Sequence, residues 1–153
     1  MTVGAHMTVL TAIVVVFMLL ELANVGSLYF VPGSTKFNAL GVFAAWESSK
    51  NDPQVHGLVR YLACWVAGTK LIFLGLLAVV LTLGPPRLVM ASVAVLIATI
   101  LTFYWRLFPL IRRMDADGQL TVPGYSKVLG VMIALFVVAL GVGLAFGLRS
   151  YPG

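Results

Sequence analysis

An all-α integral membrane protein, built as a bundle of four transmembrane helices, is the fold class this sequence predicts, and three observations predict it. Of 153 residues, 61% are hydrophobic and only 10% charged, with a mean hydropathy of +1.05; a soluble domain carries about a quarter charged residues. So much apolar surface cannot be hidden in so small a domain, because too large a share of it faces outward. The apolar residues also fall in long unbroken runs rather than alternating with period two. With no water in the bilayer core, only helices satisfy their own backbone over such runs. At roughly 20 residues per crossing, four spans and their loops account for the chain.

The first span covers about residues 8–30. No Lys or Arg precedes it and no small-x-small cleavage site follows it, so it reads as a retained span rather than a signal peptide. The second covers 58–83 and ends at Gly84-Pro85-Pro86-Arg87, where neither proline continues a helix. The third covers 88–110 and the fourth 128–148. In the first loop Phe37, Leu40, Phe43 and Trp46 recur every third residue before the polar run Glu47-Ser48-Ser49-Lys50. That spacing predicts a short amphipathic interfacial helix, capped by Ser34 or Thr35, with a packed or re-entrant loop as the alternative. Tyr29, Phe30, Phe103, Tyr104, Trp105 and Phe108 sit near the same boundary and read as an aromatic belt.

Orientation follows the Lys and Arg of the loops. Lys36 and Lys50 in the first loop and Arg112, Arg113 and Lys127 in the third stand against Arg87 in the short break and Arg149 in the tail. Five against two puts these two loops in the cytoplasm and both termini on the non-cytoplasmic side of the cell membrane. The net charge of +5 is thereby explained by topology. No basic stripe interleaved with aromatics exists, which argues against a nucleic-acid partner.

The informative residues are polar ones at membrane depth. Glu21 and Asn24 lie one turn apart in the first span, and Lys70 is in the middle of the second. A charge near the bilayer centre costs about 2.5–3.5 kcal/mol on insertion scales, so such groups face a partner or a cavity. Glu21 is nine residues in from Phe30 and Lys70 ten in from Arg60; at 1.5 Å per residue these depths, roughly 14 and 15 Å, match within a turn. A Glu21–Lys70 ion pair between the first two spans is expected, each charge favouring the other's ionised state. His56, Arg60, Ala63, Ala67, Lys70 and Leu74 share one helical stripe, and Arg106 on the third span matches Arg60 in depth. Two readings stay open. Either Arg60 and Arg106 snorkel to lipid phosphates and the ion pair is a structural clamp, or Glu21, Asn24, Arg60, Lys70 and Arg106 line a polar pocket for an anionic or quinone-like head group.

On the fourth span Ala139, Gly143 and Gly147 form a small-xxx-small stripe suited to close helix packing, within the bundle or against another subunit. One internal echo, Val31-Pro32-Gly33-Ser34-Thr35-Lys36 against Val122-Pro123-Gly124-Tyr125-Ser126-Lys127, reads as a Pro-Gly turn used twice rather than a duplication.

Several chemistries lack the residues they need. His6 and His56 fall at opposite ends of their spans, about 30 Å apart, too far to share one haem. Asp115-Ala116-Asp117-Gly118 lacks the remaining ligands of a calcium loop and reads as a polar turn. The lone Cys64 excludes an intrachain disulfide. No Ser-His-Asp grouping, HExxH, phosphate loop or Cys-pair motif is present. No cofactor, metal or catalytic residue is expected.

Asn51-Asp52-Pro53 leading into Arg60, followed by Ala63, Ala67 and Gly68, resembles the DoxX-like group of small four-helix membrane proteins, which implies association with respiratory or redox membrane complexes. Glu21 in the first span and the Gly143/Gly147 stripe are similar to the small multidrug resistance family, which implies a dimeric proton-coupled transporter; the long first loop and Lys70 depart from that pattern. The function expected from the sequence is an accessory or scaffolding subunit of a larger membrane complex, docked through the fourth helix to other membrane subunits or to a second copy and surrounded by membrane lipid. A protein binding a quinone or lipid head group is the alternative, and a small transporter the second.

Overall fold

The computed structural model describes residues 3–149, with side chains described from residue 7 onward; the side chain of His6 lies outside the described residues. Helix α1 spans Val3–Phe30, α2 Ala44–Ser49, α3 Pro53–Leu83, α4 Pro86–Ala116 and α5 Tyr125–Arg149. All but α2 are long and apolar enough to cross a membrane. The chain is an all-α membrane bundle whose helices stand in the order α3, α1, α5, α4; α3 and α4 close the ring but touch least.

The helices overrun the apolar runs that predict them, for local reasons. Helix α3 starts at Pro53, five residues ahead of the apolar stretch, because Asp52 accepts from the backbone N–H of Gln54 (2.9 Å) and Val55 (3.2 Å). Proline at the first helical position gives up only an N–H with no intrahelical partner. Helix α4 continues past Pro109 to Ala116, since one proline removes a single helical hydrogen bond and neighbouring helices support the rest. Its end is tied to α5. Asp115 accepts from the N–H of Gly124 (2.9 Å) and from the N–H (3.0 Å) and hydroxyl (2.5 Å) of Ser126. Asp115 and Ala116 are thus the last residues of α4, and Asp117-Gly118 the turn that follows it.

Packing differs between the two ends. Where the termini and the Gly84-Pro85 elbow meet, Leu10, Val14 and Phe17 of α1, Leu77 of α3, Val89, Met90, Val93 and Leu96 of α4 and Leu140 of α5 form one continuous core. Phe17 lies edge-on to both Phe73 and Phe136. Toward the loop end this core divides. Val25, Leu28, Ala63, Ala67 and Leu74 pack α1 on α3, while Ile111 and Leu129 join α4 to α5 together with the loop residues Val42 and Leu120.

The first loop is a compact cap. Its helix begins only at Ala44, not at 34 or 35, because Phe37 and Asn38 adopt left-handed backbone (φ 53° and 55°) and a 3-10 turn, Leu40–Val42, follows. The Ser34 hydroxyl instead accepts from the Lys36 N–H at 3.0 Å. Trp46 is buried rather than laid on a surface, and Gly41 crosses so close to Gly33 that any side chain at 41 would strike its carbonyl. The cap is sewn to the third loop by Ala44 N–H to Gln119 O (2.9 Å), Thr121 N–H to Val42 O (2.8 Å) and the Thr121 hydroxyl to Gly41 O (3.0 Å). The two Pro-Gly turns differ: Gly124 has φ +77°, whereas Gly33 is not in that region.

Two further expectations gain detail. Of the aromatic belt, Tyr29, Phe30 and Trp105 are exposed, while Phe103, Tyr104 and Phe108 are half-buried and pack edge-on or tilted against one another. Gly130 leaves room for the Phe108 ring and accepts a hydrogen bond from the Tyr104 hydroxyl at 2.6 Å. Gly143 and Gly147 are buried against Leu10 and Ile13 of α1 and Met90 of α4, with Ala139 half-buried above them. The stripe packs the bundle itself.

Candidate functional site

Where the core divides, a cavity of about 910 Å³ opens between the α1–α3 pair and the α4–α5 pair. Phe17 and Phe136 form its floor, and Thr35, Phe37, Asn38, Leu40 and Phe43 of the cap roof it. The walls are almost wholly aliphatic and aromatic. Several wall residues on α3 and α4, among them Leu62, Val66, Leu107 and Leu110, are exposed. The cavity is therefore a cleft between helix pairs and not a sealed void.

The small residues Ala63 and Ala67, both buried, bring α3 close to α1. One turn along the same stripe Lys70 reaches across. Its Nζ donates to Glu21 Oε2 at 2.6 Å and to Asn24 Oδ1 at 2.6 Å. Glu21 and Lys70 each keep 28% of their side-chain surface accessible, and both line the cleft. Asn24 is buried, and its amide works in two directions. The carbonyl accepts from Lys70, while Nδ2 donates to the backbone carbonyls of Phe37 and, at 3.2 Å, Asn38. The left-handed turn at these two residues, a conformation that costs on the order of 1–3 kcal/mol per non-glycine residue, turns their carbonyls down to Asn24. Across the cleft the Tyr125 hydroxyl of α5 donates to Asn38 Oδ1 at 2.8 Å. A hydrogen-bonded chain thus runs Glu21–Lys70–Asn24–Asn38–Tyr125 beneath the cap.

Of the five polar residues picked from the sequence, the structure gathers Glu21, Asn24 and Lys70. Arg60 and Arg106 are exposed and outside the cleft wall; Arg106 lies over the Trp105 ring at 5.1 Å. Both are exposed on the outer face of their helices rather than turned to the ion pair. His56 stacks on Trp46 (4.8 Å between centroids) and its Nδ1 is 2.9 Å from the Ser49 hydroxyl, which ties α2 to α3. The sequence reading missed Phe37, Asn38 and Tyr125. Only Asn38 carried a signal, as the residue type most tolerant of left-handed backbone besides glycine.

Chemically, the site offers one compensated ion pair and one amide inside an apolar hollow. Among the described residues no group of three or more His, Cys, Asp or Glu is placed to hold a metal ion. Fold and cleft together define a small polytopic membrane protein with an internal amphipathic cavity. No protein-family model, curated protein or solved structure matches the chain.

Proposed function

We propose that this protein binds a membrane amphiphile, a lipid or a quinone-like molecule, with its head at Glu21, Asn24 and Lys70 and its apolar part in the cleft. The observation that carries this reading is a cavity of about 910 Å³ with mostly apolar walls, on which Glu21 and Lys70 are the charged groups among the described residues. Ligand sites have this composition: mostly apolar lining with a few placed polar groups that fix orientation. A docked chain would fill the space that the dividing core leaves, and the open seams between helix pairs give access from the bilayer.

The accessory-subunit reading has less support. With Gly143 and Gly147 turned to α1 and α4, the outer face of α5 offers Val131, Leu135 and Val138, which suit lipid as well as protein. The transporter reading has less support as well, since Glu21 is held in an ion pair with Lys70.

The test is native mass spectrometry of the protein extracted in mild detergent. The expected result is a bound amphiphile of one lipid-sized mass, lost from Lys70→Met and from Met132→Trp, which fills the cleft from α5 without touching the ion pair. A folded wild-type chain that carries no such mass overturns the reading.

A further inference from the structure

The cleft's charge arithmetic narrows the ligand further. Among the described residues, Glu21 and Lys70 are the only Asp, Glu, Lys or Arg on its wall, and as an ion pair their charges cancel. An anionic head would therefore bring an uncompensated charge into an apolar hollow, which is strongly unfavourable. The pair's hydrogen-bonding capacity is also not exhausted. An ammonium has three N–H donors; Lys70 directs one to Glu21 and one to Asn24, so one remains. Glu21 accepts through Oε2, and its Oε1 receives no hydrogen bond from a described residue. Side by side at the wall stand one free donor and one free acceptor. Of the other hydroxyls on the wall, those of Thr99 and Thr102 donate to carbonyls of their own helix and that of Tyr125 to Asn38.

Resting on the amphiphile reading above, we infer that the bound molecule has an uncharged, hydroxyl-bearing head, whose O–H donates to Glu21 Oε1 while its oxygen accepts from Lys70 Nζ. Such a head saturates both groups and adds no charge. A fully ionised phosphate or a carboxylate head only accepts, and an anionic head of either kind brings a like charge up to Glu21 Oε1. Both diacylglycerols and long-chain prenols have the required chemistry.

The experiment uses the full chain, delipidated and reloaded in detergent micelles. Separate arms contain palmitoyl-oleoyl-glycerol, a polyprenol, and palmitoyl-oleoyl phosphatidic acid, with bound mass read by native mass spectrometry. Either hydroxyl lipid is expected to be held at least about tenfold more tightly than phosphatidic acid, about 1.4 kcal/mol; whichever is held distinguishes glyceride from prenol. Glu21→Gln leaves the Lys70 charge uncompensated and is expected to shift preference toward phosphatidic acid. Wild-type protein that holds phosphatidic acid as well as or better than both hydroxyl lipids overturns this inference while sparing the cleft. Retention of none of the three overturns this inference, while the amphiphile reading stands or falls on the mass that the protein carries as extracted. Should Glu21→Gln not fold, the wild-type comparison decides alone.

Discussion

The two ends of the bundle are made of similar residues and packed in opposite ways. At the end bearing the termini, side chains from four helices meet in one core, with Leu10, Val14, Val93 and Leu140 fully buried. At the loop end Phe103, Leu107, Met132 and Phe136 are just as apolar, yet they border a cleft. Supply of hydrophobic side chains is thus not what leaves the loop end open. Backbone spacing is: Gly143 and Gly147 draw α5 onto α1 at one end, whereas at the other Ala63 and Ala67 draw α1 only to α3, and Gly130 draws α5 only to α4. Small residues decide which helices touch, and in lipid close contact is the main drive for association. The continuous core lies at one end and the candidate site at the other.

Substitutions can break this contrast. The largest loss of stability is expected from Leu140→Ala, about 2–5 kcal/mol for a fully buried leucine, read as the midpoint of unfolding in mixed micelles. Met132→Ala on the cleft wall is expected to lower stability by under about 1 kcal/mol, since it borders space already empty. Equal losses would mean that the cleft is as tightly packed as the core. Next comes Lys70→Met. Breaking a buried ion pair costs about 3–5 kcal/mol, and partial access of both groups brings the expectation to about 2 kcal/mol. Glu21→Gln in the same chain should recover part of that, with a coupling of about 1–2 kcal/mol in the double-mutant cycle. Strict additivity would show that the two side chains act independently.

Smaller effects sharpen the picture. At Gly143 an added methyl comes 3.0 Å from Ile13 and 3.1 Å from Leu10, whereas at Gly147 its nearest contacts are at 3.4 Å. Gly143→Ala is expected to destabilise by about 1 kcal/mol and Gly147→Ala by less, the same assay giving the order. Least is expected of Tyr125→Phe, which removes one exposed hydrogen bond to Asn38, worth about 0.5–1 kcal/mol. Its effect should appear as faster amide exchange across residues 36–41 with no change in the global midpoint.

The spans were legible because length and hydropathy fix them, and the levelling of Glu21 with Lys70 because the rise of a helix is constant. The cleft was not, since it is an absence of contact produced by how pairs of helices diverge, and no periodicity records that. Arg60 shares the stripe of Lys70 in sequence, but stripe membership gives a direction only where a partner helix continues; near the loop end α3 faces outward at that position. The glycine stripe of α5 announces a close neighbour without saying which one. Phe37 in left-handed backbone contradicts its own preference and leaves no trace in the sequence, and with it the shape of the cap was hidden.

The lengths of α3 and α4 have a mechanical consequence. Each has 31 residues, roughly 46 Å at 1.5 Å per residue, against a hydrocarbon layer of about 30 Å. Such helices meet a thinner or thicker membrane by changing tilt. Because Gly84-Pro85 joins them at one end, any change of tilt is expressed at the other, where they flank the cleft. If tilt sets the width of the cleft, the spacing of α3 and α4 at that end is expected to differ between nanodiscs of short-chain and long-chain phosphatidylcholine; equal spacing would uncouple the two.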